Sequence, residues 1–201
     1  MNPWFLARAS GLLAYALFAV STIAGLLLSS KFLGKKASKP LTLIHEALSV
    51  SGLFTLFVHM LAILKDTFFK FGVGGVLVPG LSPYAPLAVG VGVVAAWLST
   101  IVVASFYVRK KIGPRNWRRL HYITIGLFAA MTVHGLGAGT DRHNPFVLGM
   151  YSTATGTVLV LLANRVADAV SKARKRALAR AAHAPHRAAT ADRGRPKLEG
   201  A

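Results

Sequence analysis

Residues 41–64 read LTLIHEALSVSGLFTLFVHMLAIL, an apolar run with His45 near one end and His59 near the other. About 20 apolar residues cross the hydrocarbon core of a bilayer as a helix. An ionisable residue inside such a run is costly enough to mark a functional site. A second run, residues 120–136 (LHYITIGLFAAMTVHGL), repeats the arrangement with His121 and His134. The separations are 14 and 13 residues, or about 21 and 20 Å along a helix axis. Two histidine pairs of nearly equal pitch read as a ligand set, because neutral imidazole is a common ligand of metals and haem iron.

Three more apolar stretches accompany them, from Phe5 to Ser29, from Ala85 to Val108 and from Phe146 to Ala163. The expected fold is therefore all-α, a membrane bundle of five transmembrane helices. The first stretch is longer than a signal-peptide core and its lysines follow it, so it reads as a retained helix. Basic residues fall in alternate connections. Lys31, Lys35, Lys36 and Lys39 form one group, and Arg109, Lys110, Lys111, Arg115, Arg118 and Arg119 another. Ten more Lys or Arg follow Ala163. Between these, Lys65 and Lys70 are offset by Asp66, and Arg142 by Asp141. By the positive-inside rule the N-terminus lies outside and the C-terminus in the cytoplasm. Domain organisation is expected to be a bundle over 1–168 and a basic tail over 169–201, helical at first and then disordered. The segment Gly72–Pro86 reads as a glycine- and proline-rich external loop over the bundle mouth. The setting that follows is an integral protein of a bacterial inner (plasma) membrane.

Composition narrows the chemistry. Of 201 residues 54% are hydrophobic, mean hydropathy is +0.52, and the net charge is +18. The cations flank apolar spans, which explains them without nucleic acid. Cysteine is absent, which removes disulfides, thiolate ligation, cysteine-held iron–sulfur clusters and covalent c-type haem. Histidine is left as the main ligand for any haem.

The second and fourth spans run the same way, so His45 and His121 share the inner level and His59 and His134 the outer one. Each pair can hold one iron, which implies two non-covalent b-type haems. Azimuth fits less well. At 3.6 residues per turn His59 returns to within about 40° of His45, whereas His134 stands about 140° from His121. A bend or a π-bulge at Gly126 is the expected remedy. Arg115, Arg118, Arg119 and Lys39 are candidate partners for inner haem propionates, and Arg142, Lys65 and Lys70 for outer ones. Glu46 is expected to face Arg118 or Arg119, or to orient a ligand. Asp141, Arg142 and His143 read as a polar turn at the outer mouth, and His183 and His186 as solvated tail residues.

The two histidine pairs two spans apart, the second led by Trp117-Arg118-Arg119-Leu120-His121, resemble the ferric reductase-like transmembrane domain family. Relatives include ferric reductases, NADPH oxidases and the haem subunit of the methionine sulfoxide reductase system. The resemblance covers about residues 41–165. It implies His45 and His121 as ligands of the inner haem and His59 and His134 as ligands of the outer one. It also implies a haem-dependent membrane oxidoreductase, or its electron-transfer subunit. Members often have six spans, and five are read here. No glycine-rich dinucleotide fingerprint is present, so a flavin is expected only through a partner, with a cytoplasmic flavoprotein reductase or quinone as donor and an external acceptor. Two other readings stay open: a cytochrome b membrane anchor exchanging electrons with quinone, and a non-haem transporter or assembly protein whose histidines bond across the bundle.

Overall fold

The computed structural model describes residues 2–30 and 34–193. Among them there is no strand. Eight helices follow one another: α1 (Pro3–Ser29), α2 (Lys35–Leu64), α3 (Gly72–Leu77), α4 (Pro86–Tyr107), α5 (Arg109–Ile112), α6 (Pro114–His121), α7 (Ile123–Ala138) and α8 (Pro145–Arg193). Five helical rods are long and apolar enough to cross a membrane: Pro3–Ser29, Lys36–Leu64, Pro86–Tyr107, Pro114–Ala138 and Pro145–Arg180. The chain is an all-α integral membrane protein. In hydrocarbon every backbone N–H and C=O must be satisfied within the segment, and the helix does this.

Proline opens four of these rods, at Pro3, Pro86, Pro114 and Pro145. The first helical position needs no N–H donor and suits the fixed φ of proline. Asn2 and Asn144 complete two of the starts, their side-chain oxygens accepting from the backbone N–H groups of Trp4 and Phe146 at 3.0 and 2.9 Å. Gly113 supplies the turn before Pro114 with a φ of +84°, a conformation that glycine adopts without steric cost.

Two compact units divide at Leu161 and Leu162, earlier than the expected boundary at 168. In the first unit α1 lies along α2, and α4 along α7. The core between them gathers Tyr15, Ala19, Leu26, Phe128, Tyr151 and Val158, with a second cluster of Ala95, Val102 and Leu127 between α4 and α7. The Tyr15 ring packs 4.2 Å from that of Tyr151, and its hydroxyl lies 3.2 Å from Thr132 Oγ1. The second unit carries the basic part of α8, with an exposed Lys172–Asp168 pair at 3.8 Å. Lys31 and residues 194–201, where the disordered end of the tail was expected, lie outside the described residues, as do the side chains of His183 and His186.

Several sequence expectations are revised. Most of the first two basic groups stand on helices, Lys35, Lys36 and Lys39 on the first turns of α2 and Arg109, Lys110, Lys111, Arg115, Arg118 and Arg119 on α5 and α6. The segment Gly72–Pro86 holds the short helix α3. The buried Asp66 carboxylate caps the turn before it, accepting from Phe69 N at 2.9 Å. The bend expected at Gly126 falls instead at Tyr122, which separates α6 from α7. There Thr124 Oγ1 donates to the His121 carbonyl at 2.7 Å, and Ile125 N reaches Tyr122 O at 3.4 Å. A hydroxyl inserted into the ladder and one tight i→i−3 turn are what break the rod.

Candidate functional site: two opposed histidine pairs

The four histidines come together in two pairs. The rings of His45 and His121 stand 6.0 Å apart, centre to centre, and cross at 81°. Those of His59 and His134 stand 6.5 Å apart and cross at 78°. Because 45 meets 121 and 59 meets 134, α2 and α7 run parallel. The helix is interrupted at Tyr122, between His121 and His134, so the azimuths of a single regular rod do not apply to the two rings, and both meet histidines of α2.

The back of each ring is held by a neighbouring helix. Nδ1 of His59 lies 2.7 Å from Ala7 O on α1. Nδ1 of His134 lies 2.9 Å from Ala88 O on α4. Nδ1 of His45 lies 2.8 Å from Ser21 O on α1 and 2.9 Å from Ser21 Oγ. Ser21 is buried, its hydroxyl within 2.7 Å of Ser49 Oγ. A carbonyl can only accept, so Nδ1 carries the hydrogen in all three rings, and Nε2 keeps its lone pair for a metal. Partners of this kind orient metal-bound histidines and raise their basicity.

One backbone device makes these contacts possible three times. The accepting carbonyls belong to residues 7, 21 and 88, and glycine follows four residues on at 11, 25 and 92. A Cβ at Gly11 would lie 2.9 Å from Cε1 of His59. One at Gly25 would lie 3.1 Å from Cε1 of His45, and one at Gly92 would lie 2.6 Å from Cε1 and Cγ of His134. Each glycine leaves the helix bare where an imidazole must reach past it to a carbonyl. The carbonyl has a second lone pair beyond the one used by its own helix. These glycines were missed in the sequence, although Gly11 and Gly25 repeat the 14-residue spacing of His45 and His59. Between the two levels the Phe18 ring covers Gly52, where a Cβ would lie 3.2 Å from it.

His121 is held differently. Its ring stacks on that of Trp117 at 5.0 Å and 25°. Arg115, Arg118 and Arg119 are exposed on the same short helix. The ion pair expected between Glu46 and Arg118 or Arg119 does not form; among the described residues the two ion pairs are Arg8–Asp141 and Lys172–Asp168. Ser21, not Glu46, orients His45.

The second pair opens into a cavity of about 190 Å³. Its wall includes Gly11, Tyr15, Gly92 and Tyr151, and its mouth Trp4, Arg8, Phe71, Tyr84, Asp141 and Arg142. Asp141 is more than the polar turn expected of it. Arg8 grips it through both nitrogens of a fork, Nε donating to Oδ2 at 2.7 Å and Nη2 to Oδ1. This ties α1 to the turn between α7 and α8. Arg142 lines the cavity and donates to His143 Nε2 at 3.1 Å. Lys65 and Lys70 are exposed and take no part in its wall.

The family model described as a domain of unknown function, DUF8596, matches residues 3–141. The chain belongs to the DUF8596 family. The matched segment of this DUF8596 member contains all four histidines, the three glycines behind them and both partners of the Arg8–Asp141 pair. Nothing among curated proteins or solved structures matches the chain.

A metal–imidazole nitrogen bond is about 2.0–2.1 Å, so two rings on opposite sides of one metal stand about 6 Å apart, centre to centre. Both pairs meet that spacing. Among the described residues no group of three His, Cys, Asp or Glu gathers to hold an ion. Two opposed nitrogens suit a metal that brings its four equatorial ligands with it, and haem does.

Proposed function

We propose that this protein carries electrons across a membrane through two bis-histidine b-type haems, as the ferric reductase-like resemblance implies. The observation that carries the reading is the matched pair of ring separations, 6.0 and 6.5 Å, at two levels of one bundle. Haem held at each level would supply an iron that takes up and gives off one electron. His45 and His121 would hold the first, and His59 and His134 the second. A centre held by two histidines would suit outer-sphere electron transfer. The chain's own contribution is to fix the four rings through Ser21, Ala7 and Ala88, to space the levels with Phe18, and to keep water out with the Tyr15–Tyr151 core.

The distribution of cations supports an orientation with the Arg109–Arg119 end in the cytoplasm, as in a bacterial plasma membrane. The donor is then a cytoplasmic flavoprotein reductase or a quinol, and the acceptor lies outside. Outward movement of an electron from a negative interior gains about 2.3 kcal/mol per 100 mV.

Haem content tests the reading. Purified protein is expected to hold two haem b per chain, and alanine at His45, His59, His121 or His134 to lose one. Alanine at His143 should leave both in place. Full retention in the His45→Ala and His134→Ala variants would refute the ligand assignment. Reduction by a quinol analogue with no flavoprotein present would identify quinone as the donor.

A further inference from the structure

We propose that the indole N–H of Trp117 donates to a carboxylate of the cofactor held by His45 and His121, a propionate of that haem. The inference rests on the haem reading above. Trp117 Nε1 is a buried nitrogen without a hydrogen-bond partner, and it is the one such side-chain atom among the described residues. A buried donor left unpaired costs about 1–3 kcal/mol, and folded proteins rarely keep one. Its acceptor therefore comes from outside the chain.

The surroundings indicate what kind of acceptor. Trp117 is one turn before His121 and stacks on its ring, and the ring of Phe106 on α4 meets it edgewise at 6.4 Å. A buried water needs two to four polar partners, and these ring faces offer none. Arg115, Arg118 and Arg119 surround the position along α6, and the ion pairs among the described residues do not include them. The local field is positive, which favours an oxyanion. Because the indole lies alongside a ligand imidazole, the oxyanion it meets is one attached to that ligand's own cofactor. A lipid phosphate offers the same chemistry from another source.

Full-length protein in nanodiscs distinguishes the sources, using protohaem and its dimethyl ester as probes. With protohaem, Trp117→Phe keeps a ring against His121 but removes the donor, and retention should fall about tenfold at that level. With the ester the same substitution should change retention less than about twofold, because the charged acceptor is gone. Equal losses with both cofactors would mean that Trp117 only packs, and would overturn the proposal. The tryptophan N–H band in ultraviolet resonance Raman gives a second readout on the unaltered chain. It should shift to its hydrogen-bonded position when protohaem binds. If it is already there in haem-free protein in phospholipid, and not in a phosphate-free detergent, the acceptor is a lipid phosphate and the proposal fails. A wild-type chain that binds no haem fails the reading of the previous subsection as well, and the haem count alone reveals that case.

Discussion

Replacing Gly92 by alanine would press a methyl group against the imidazole of His134. The new Cβ would lie 2.6 Å from Cε1 and Cγ of that ring, about 1 Å short of an ordinary carbon contact. Residues 93, 95 and 96 of α4 are buried beside it, so the helix has little room to retreat. The ring must turn, and its bond to Ala88 O at 2.9 Å is lost. The lost hydrogen bond is worth about 1 kcal/mol and the overpacking about 1–3 kcal/mol. At 1.4 kcal/mol per tenfold, haem at the His59–His134 level should bind about 30- to 1,000-fold more weakly. The same substitution at Gly11, where the approach is 2.9 Å, should cost less. At Gly25, where it is 3.1 Å to Cε1 and 3.5 Å to Nδ1, a small shift of His45 absorbs it. Haem per chain by the pyridine haemochrome method, with transfer to apomyoglobin as a rate measure, should rank Gly92→Ala below Gly11→Ala and Gly11→Ala below Gly25→Ala. A Gly92→Ala protein holding two haems with unchanged release kinetics would show that the glycines do not seat the rings.

Ring crossing angles of 81° and 78° predict highly anisotropic low-spin ferric signals from both centres in frozen-solution EPR; rhombic signals typical of parallel imidazoles would contradict the geometry. The Arg8–Asp141 fork, with side chains 36% and 19% exposed, should contribute about 1–2 kcal/mol, more than an exposed pair. Arg8→Gln and Asp141→Asn should each lower the thermal midpoint in detergent, and the double variant should lose less than the two together. Additive losses would mean that the two side chains act separately.

The five rods and the two histidine pairs were legible because each rests on a strong sequence signal, a long apolar run and an ionisable residue inside it. The position of the bend was not. Gly126 is a plausible flexible point by composition, but the ladder breaks where the Thr124 hydroxyl captures the His121 carbonyl, and a threonine in a span carries no such mark. Gly11, Gly25 and Gly92 were passed over because glycine within a helix normally signals only a small loss of stability. Their purpose depends on which ring lies opposite, a tertiary fact. Nothing in the sequence links Arg8 to Asp141, 133 positions along the chain; only the fold brings them together. Glu46 follows His45 in sequence, yet adjacent helical residues point about 100° apart. The neighbour that orients His45 is therefore on α1.

Holding an imidazole by a main-chain oxygen has an evolutionary corollary. The side chains of Ala7 and Ala88 do not supply the grip on His59 and His134, although Ala7 is buried and Ala88 packs against Gly137, which keeps both positions small. The constraint moves one turn along, to a place where the cradle is defined by the lack of any atom. Descendants of this chain must therefore preserve an empty space as strictly as other proteins preserve a side chain.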